Sequence, residues 1–396
     1  MQPCNPSSSP TDSPVWTVST PFSREISQRG TDTHINTHTK KTSTRAVFVS
    51  PLSTVMVVHR RKSHRRAFAV EEAQRCAGHV IDLVPSASMP PRLSVDFPEG
   101  LDPSAGDLNE ERADRKRQQI LSLAAHALTL LDAGDTCVEF GAGRGHLGLL
   151  IAHLRPEVHV ILVEIKEFAC NGARARIATL GASNVSVYCG SIDDFAQSGT
   201  LFDCAVGLHL CGLLTDSVLD LASARGAKCA LVPCCYGQIW GAEDHDRGGE
   251  TAPRMHPRSS TVRALLGDTE GRQLFGSVAK AADYAVVGKG GTFDVASAAF
   301  VAARFCMRLI DTDRALYFRE RNAAAGIAAP TISIGVLEPL TCSPKASILL
   351  VAPPPAQAGM VSGTTAPTTL AAANGDEGPS SSAQQVVDHT HGGDDA

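Results

Sequence analysis

The sequence predicts a doubly wound α/β domain, and three observations carry that expectation. A short apolar run at 136–140 leads into the stretch Gly141-Ala-Gly143-Arg-Gly145-His-Leu-Gly148, the pattern of a buried strand turning through a tight loop into a helix. From there to Pro233, apolar runs of strand length alternate with segments of helical periodicity, as they do where crossover helices join parallel strands. The last two apolar runs, 331–337 and 347–351, are separated by nine residues, too few for a crossover helix, so they should pair antiparallel. The expected architecture is a seven-stranded sheet, mostly parallel, finished by an antiparallel C-terminal hairpin.

In chain order, Pro90, Pro91, Pro98 and Gly100 mark an extended lead-in. Asp107, three residues before Glu110, is the expected cap of a helix running to about Leu131, with Ile120, Leu121, Ala124, Leu128 and Leu131 as its apolar set and Gly134 beyond its end. The first strand and glycine loop follow, and Pro156 breaks the first crossover helix before a second strand at 158–164. A helix over about 168–180 stops at Gly181, and the third, fourth and fifth strands occupy 185–189, 204–208 and 229–233. A helix at 215–224, closed by Gly226, joins the last two of these. Between Tyr236 and Gly276 the pattern dissolves into Gly, Asp, His, Arg and Pro; a loop that long inside a compact domain is a candidate lid or substrate-recognition insertion. Helical sequence resumes over about 272–281 and 296–322.

Both ends of the 396-residue chain lack the apolar content to offset their ordering entropy. Residues 1–70 hold ten Lys or Arg against three acids, and the stretch after 353 is Pro, Ala, Gly, Thr and Ser with five acids and no Lys or Arg. The expected organisation is a disordered basic region 1–88, a folded domain 89–353 and a disordered tail 354–396. With the tails set aside the middle is acidic, which argues against a protein that holds nucleic acid mainly by charge while leaving room for a local basic patch. No run approaches the roughly 18 apolar residues that span a bilayer, so a soluble protein without a membrane partner is expected. Most of the twelve cysteines, among them Cys137, Cys170, Cys204 and Cys229, sit in apolar patterns as small buried hydrophobes, which fits reduced thiols and a cytoplasmic setting. The Arg- and Ser-rich, acid-poor start has the composition of an organelle transit peptide as well as of a plain basic tail.

The glycines alone leave the ligand open. Gly143-x-Gly145-x-x-Gly148 fits a dinucleotide fingerprint, but counted from Gly141 the third position is His146. Glu139, a carboxylate at the end of the strand in Glu-x-Gly-x-Gly-x-Gly, discriminates better. This pattern resembles the first motif of class I S-adenosylmethionine (SAM) methyltransferases, whose Rossmann-like sheet also ends in an antiparallel hairpin. The resemblance implies SAM as cofactor, with Glu139 facing its cationic methionyl end and Gly141, Gly143 and Gly145 in the loop against which it lies. Glu164 closes the second strand twenty-one residues after Gly143, placed to accept hydrogen bonds from ribose hydroxyls in SAM and NAD sites alike. Asp193 matches the family position whose acid meets the adenine amino group; Asp194 is adjacent, and either acid could instead be a helix cap.

Two further segments, Gly-Leu-His209-Leu-Cys211-Gly and Pro-Cys234-Cys235-Tyr236-Gly, follow neighbouring strands to the carboxyl edge of the sheet, where ligands bind. Three chemical readings compete for them beside a purely structural one. His209, Cys211, Cys234, Cys235 and Tyr236 shape a pocket near the transferable methyl, with His209 as base or hydrogen-bond partner. Alternatively His209 and the cysteines bind Zn²⁺, for which an adjacent Cys234-Cys235 is a poor substitute for a C-x₂-C knuckle. In the third, one cysteine attacks a pyrimidine covalently, as in cytosine C5 methylation, where Pro-Cys recurs. The first is preferred, with no metal.

The succession Glu139-Phe-Gly-Ala-Gly-Arg-Gly-His146, His209-Leu-Cys-Gly-Leu-Leu-Thr-Asp216, Pro233-Cys-Cys-Tyr-Gly237, Asp311-Thr-Asp-Arg314 and Glu338-Pro-Leu-Thr-Cys-Ser-Pro-Lys345 narrows the resemblance. From about Pro91 to Pro353 the chain is similar to the methyltransferase domain of the glutathione S-transferase C-terminal domain-containing proteins, and more loosely to tRNA 2′-O-methyltransferases. The upstream segment is expected to be too short for that family's glutathione-transferase-like domain, so contacts made through it are not implied. The segments Met255-His-Pro-Arg258-Ser259 and Ser343-Pro344-Lys345 also match and are expected to border the substrate. The expectation is a SAM-dependent methyltransferase, with a SAM-binding module without turnover and a nicotinamide oxidoreductase as alternatives. RNA is preferred as acceptor over protein or a small molecule, because Arg247, Arg254 and Arg258 are candidate phosphate contacts.

Overall fold

Seven strands build the sheet: the central ones are apolar runs buried on both faces, and those toward its edges are only partly buried. β1 (Thr136–Phe140), β2 (His159–Glu164), β3 (Val185–Cys189), β4 (Cys204–Cys211) and β5 (Lys228–Cys234) run parallel. β7 (Ser347–Ala352) lies antiparallel between β5 and β6 (Thr331–Val336). The order across the sheet is β3-β2-β1-β4-β5-β7-β6, so the doubly wound sheet and its antiparallel C-terminal pair are as expected. The computed structural model describes residues 62–105, 108–239, 256–267, 269–284, 293–327 and 330–353.

Alternate strand residues feed two cores. Val138, Phe140, Val163, Ala205 and Leu231 face a layer holding α1 (Lys62–Ala77), α5 (Ile192–Gln197), α6 (Leu214–Arg225), α7 (Ser260–Leu266), α8 (Thr269–Ala282) and α9 (Ala298–Ala324). Cys137, Val160, Leu162, Cys204 and Val206 face α2 (Glu110–Leu128), α3 (His146–Leu154) and α4 (Glu167–Leu180). Winding reverses between β1 and β4, which opens a crevice at the carboxyl ends of those strands.

Local chemistry explains most boundaries. Gly181 and Gly226 take left-handed φ of +61° and +66° where α4 and α6 stop. The cap of α2 is Asn109, whose side chain accepts from Arg112 N at 3.0 Å; Asp107, the residue expected there, lies outside the described residues. β4 runs three residues beyond the expected Leu208, through a register shift at His209. α7 was not expected: Ser259 caps it through Val262 N, and its sequence is masked by the Pro- and Arg-rich context.

The expected boundary at residue 89 is corrected. Val70, Ala73, Ala77, Val80 and Val84 are buried in the α6–α9 core, and Arg308 donates to the carbonyls of Ile81, Val84 and Ile334. Their apolar stripe is diluted by the surrounding charge, so averaged composition hides it. Residues 1–61 and 354–396, expected as tails, lie outside the described residues. Among the described residues no helix is long and apolar enough to cross a membrane.

Candidate active site at the carboxyl edge

The loop after β1 carries three glycines in the left-handed region, Gly141, Gly143 and Gly145, at φ of +65°, +57° and +78°. They do different work. Beyond its own chain neighbours, no heavy atom lies within 4 Å of where a Gly143 Cβ would stand, so the loop is open on that side. Gly145 caps α3, and a Cβ there would sit 2.6 Å from Leu162; at Gly148 it would be 2.4 Å away. Those two glycines serve the packing of α3 on β2.

Two acids bind the loop from below and beside. Glu164 Oε2 accepts from Gly143 N and Oε1 from Lys166 N, both at 2.9 Å, and each oxygen keeps a lone pair for a further donor. Glu139 is buried, and its Oε2 accepts from Gly148 N at 2.8 Å. Burial pushes the Glu139 carboxyl up to about 7, against the Gly148 N–H and the Lys116 ammonium, while Glu164 adds to the rise. Lys116 on α2 is pulled below its ordinary value by burial, with Glu139 opposing. Sequence reasoning missed Lys116, yet the signal was there: it shares a helix face with buried Ala113, Ile120 and Leu123.

The adjacent acids after β3 divide their roles. Ser191 and Asp194 form a capping box for α5, each side chain bonding the other's backbone N–H at 3.0 Å. Asp193 is exposed, and its carboxylate makes no hydrogen bond among the described residues.

His209 has φ +67°, in the irregularity that shifts β4 against β5. Its Nε2 lies 2.8 Å from Gln119 Oε1, and Gln119 Nε2 donates to Cys342 O at 2.6 Å. A carbonyl only accepts, so the amide nitrogen must face it and the amide oxygen must face the imidazole. The imidazole proton is therefore on Nε2, and Nδ1 carries a lone pair. Burial, and then Lys116, hold the His209 pKa down to about 4.

Cys211 and Cys234 are cross-strand partners with their sulfurs 3.1 Å apart, and Cys235, at φ +50°, puts its sulfur 3.4 Å from Cys211. The three sulfurs lie within 4.8 Å of one another, and His209 is not in the cluster. Burial and the two neighbouring thiols push the Cys234 pKa up, opposite to the direction of an activated nucleophile, so the covalent-cysteine reading gains nothing.

Tyr236 is a correction. It is fully buried and its hydroxyl donates to Asp311 Oδ2 at 2.8 Å, so it belongs beneath the edge rather than in a pocket. There it joins a network in which Arg314 donates to Asp216 at 2.9 Å, to Asp311 at 3.2 Å and to Gly212 O at 3.0 Å. Arg258, also buried, donates to Asp216 at 3.1 Å and Asp220 at 2.9 Å and stacks 3.9 Å over the Tyr317 ring. It is spent on these partners and unavailable to a phosphate; Arg247 and Arg254 lie outside the described residues. The 256–259 segment is thus anchored in the core. Lys345 likewise turns inward, its Nζ donating to Ala282 O and to Asp283, the carboxylate that also accepts from Tyr236 N and Gly237 N.

Strand order, glycine loop and strand-end acids together define a class I methyltransferase-like fold. A family model described as "Methyltransferase domain" matches residues 115–241, from α2 through the exit of β5. The glutathione S-transferase C-terminal domain-containing protein of Xenopus laevis is 31% identical over 276 residues, 69% of this chain and 40% of that protein. This chain carries a methyltransferase domain related to those proteins. The Drosophila melanogaster homolog is 32% identical over 61% of this chain and 37% of its own length. The chain thus spans about two fifths of the length of the relatives it matches. Among solved structures, an rRNA methylase from Streptococcus thermophilus aligns with 29% of this chain and 70% of its own, at 15% identity and a TM-score of 0.25. A precorrin-6y C5,15-methyltransferase from Geobacter metallireducens GS-15 aligns with 34% and 72%, at 14% identity and 0.26.

Proposed function

We propose that this methyltransferase domain is catalytically active and SAM-dependent, transferring a methyl to an O, N or C nucleophile of its acceptor. The observation that carries the reading is the open side of the loop at Gly143 beside Glu164, whose oxygens retain acceptor capacity for ribose hydroxyls. The residues fit the cofactor: Asp193 offers an unengaged carboxylate for an adenine amino group, and Glu139 with Lys116 supplies a buried, tunable charge beneath the loop. SAM, when bound, supplies a methyl already activated on a sulfonium. The protein then has to hold donor and acceptor in line and, for an unreactive acceptor, take up a proton. His209 is suited to orienting that acceptor more than to deprotonating it: Gln119 holds its Nε2–H and leaves Nδ1 to accept a hydrogen bond, while a pKa held down to about 4 makes it a weak base. Cys211, Cys234 and Cys235 stand at the same edge, and Tyr236 supports it from below.

Calorimetry should show binding of SAM and S-adenosylhomocysteine. Gly143→Val should abolish it by filling the open side, and Glu164→Ala should weaken it by about 1–3 kcal/mol through loss of a charged acceptor. If both variants bind as the parent does, the site is wrongly assigned; binding of NAD(P)H in place of SAM would favour an oxidoreductase. With Arg258 committed to the core, the RNA reading rests on Arg247, Arg254 and the likeness to tRNA-modifying enzymes. Labelled methyl should be followed from SAM into RNA, protein and metabolite pools; label in RNA supports RNA as acceptor, label only in the others removes it, and SAM binding with no labelled product points to a module without turnover.

A further inference from the structure

We propose that Cys211, Cys234 and Cys235 form a three-thiolate site for a single Zn²⁺ ion at the carboxyl edge of β4 and β5. Their sulfurs are 3.1 and 3.4 Å apart along Cys234–Cys211–Cys235, and all lie within 4.8 Å. Zn–S bonds of about 2.3 Å in a tetrahedron set ligand sulfurs about 3.8 Å apart, within reach of small side-chain rotations. Consecutive residues in a strand point to opposite faces, so an adjacent cysteine pair would ordinarily be unable to share a ligand. Here φ +50° at Cys235 turns the chain, and both neighbours approach Cys211. Glycine would meet that backbone conformation without strain; a thiol stands there instead.

The surroundings separate this cluster from packing thiols. Cys137 and Cys204, partners in the middle of the sheet, are fully buried and only two. In the edge cluster Cys211 and Cys235 are half-buried, so an ion has a way in. His209 is not part of the cluster, and the nearby Asp283 carboxylate is engaged with Tyr236 N, Gly237 N and Lys345. The fourth position is therefore left to water or an incoming ligand, the arrangement of an open rather than a closed zinc site. Soft sulfur donors select Zn²⁺ over Mg²⁺ or Ca²⁺. On binding, three S–H protons pass to the buffer and three S–Zn bonds form, with no oxidant or reductant required. The proposal stands independently of methyl transfer.

The full chain, purified under reducing conditions and stripped with a chelator, should be titrated with Co²⁺ and back-titrated with Zn²⁺. One equivalent of Co²⁺ should produce sulfur-to-cobalt charge transfer in the near ultraviolet and tetrahedral bands in the visible, both abolished by one equivalent of Zn²⁺. Cys211→Ser, Cys234→Ser and Cys235→Ser should each remove about a third of the charge-transfer intensity and weaken Zn²⁺ at least roughly tenfold, whereas Cys189→Ser should change nothing. Zn K-edge absorption on the unsubstituted protein, immune to misfolding of a variant, should count three sulfur neighbours. Absence of a stoichiometric band, an undiminished band in all three variants, a different sulfur count, or a Cys211–Cys234 disulfide in freshly purified protein would overturn the proposal.

Discussion

Glu139 sits where a buried carboxylate destabilises the empty protein, and that follows from its own pKa. Burial raises it from 4.5 to about 7, so the folded state holds its proton more tightly than the unfolded chain between those values, and stability falls as pH climbs across that window. Glu139→Gln keeps an acceptor for Gly148 N–H and removes the charge. Thermal melts at pH 8 without cofactor should find the variant more stable by about 1–3 kcal/mol, while calorimetry should find SAM bound more weakly; weaker folding would contradict the assignment. Gln119 has a different signature. In Gln119→Leu the Cys342 carbonyl and His209 Nε2 both lose a partner, so ¹⁵N NMR should show His209 changing from a single Nε2–H tautomer to a mixture. Methyl transfer should fall at least roughly tenfold with SAM affinity unchanged, and parallel loss of both would make Gln119 merely structural. Glu139 and Glu164 were legible in the sequence because their spacing to the glycines is local. Gln119 was not, since its partners lie 90 and 223 residues away and only folding brings them together.

At the level of elements, the buried ion pairs join α6, the 256–259 segment and α9 into one unit beneath the carboxyl edge. Asp216 is fully buried, and despite the cost of burial Arg314, His256 and Arg258 hold its carboxyl well below the ordinary range. Asp216→Asn leaves those cations facing an amide; breaking a buried pair in this way costs about 3–5 kcal/mol, to be read from urea unfolding. His256 gives the same unit a pH dependence. Burial lowers its pKa, but Asp216 and Asp313, 3.6 and 3.7 Å from its ring nitrogens, outweigh that and raise it. Its stabilisation is complete below about 6.5, the unfolded value, and is lost as pH rises through the higher folded value. Urea midpoints should therefore decline above pH 6.5, and His256→Gln should flatten that decline while leaving the lower window of Glu139 in place. The central strands were readable because runs buried on both faces are apolar throughout; β3, half-exposed at the sheet edge, was readable from its valines and tyrosine and is found at the expected 185–189. The end of β4 was misjudged because a left-handed His209 has no sequence signature. α7 and its anchor fell within the stretch expected as a lid or substrate-recognition insertion and were not foreseen there, since buried charges whose partners lie on another helix look like solvated ones in a linear chain.

For the whole molecule, the question is where the cooperative unit begins. Charge-dominated composition placed the start near residue 89, but α1 packs on α8 and on α7 and α9, and the turn that follows it presses Val80 and Val84 into the same core. The segment then runs beside β6, with Ile334 N donating to Pro85 O and Ala87 N donating to Ile334 O, so it also covers a sheet edge. Deleting 62–88 would expose the apolar face of α8 and α9, leave Arg308 without the carbonyls of Ile81 and Val84, and uncover β6. Burying each valine is worth roughly 1.5–3 kcal/mol, and the surfaces of α8, α9 and β6 left behind lose that cover, so a loss of several kcal/mol is expected. At about 2–4 °C per kcal/mol for a domain of this size, the fragment 89–353 should melt about 10 °C or more below the fragment 62–353, or fail to stay in solution. Limited proteolysis makes the same comparison on the intact chain: protection should extend upstream to about residue 62. A stable 89–353 fragment with an unchanged melting point would show that α1 is an accessory to the fold and not part of its core.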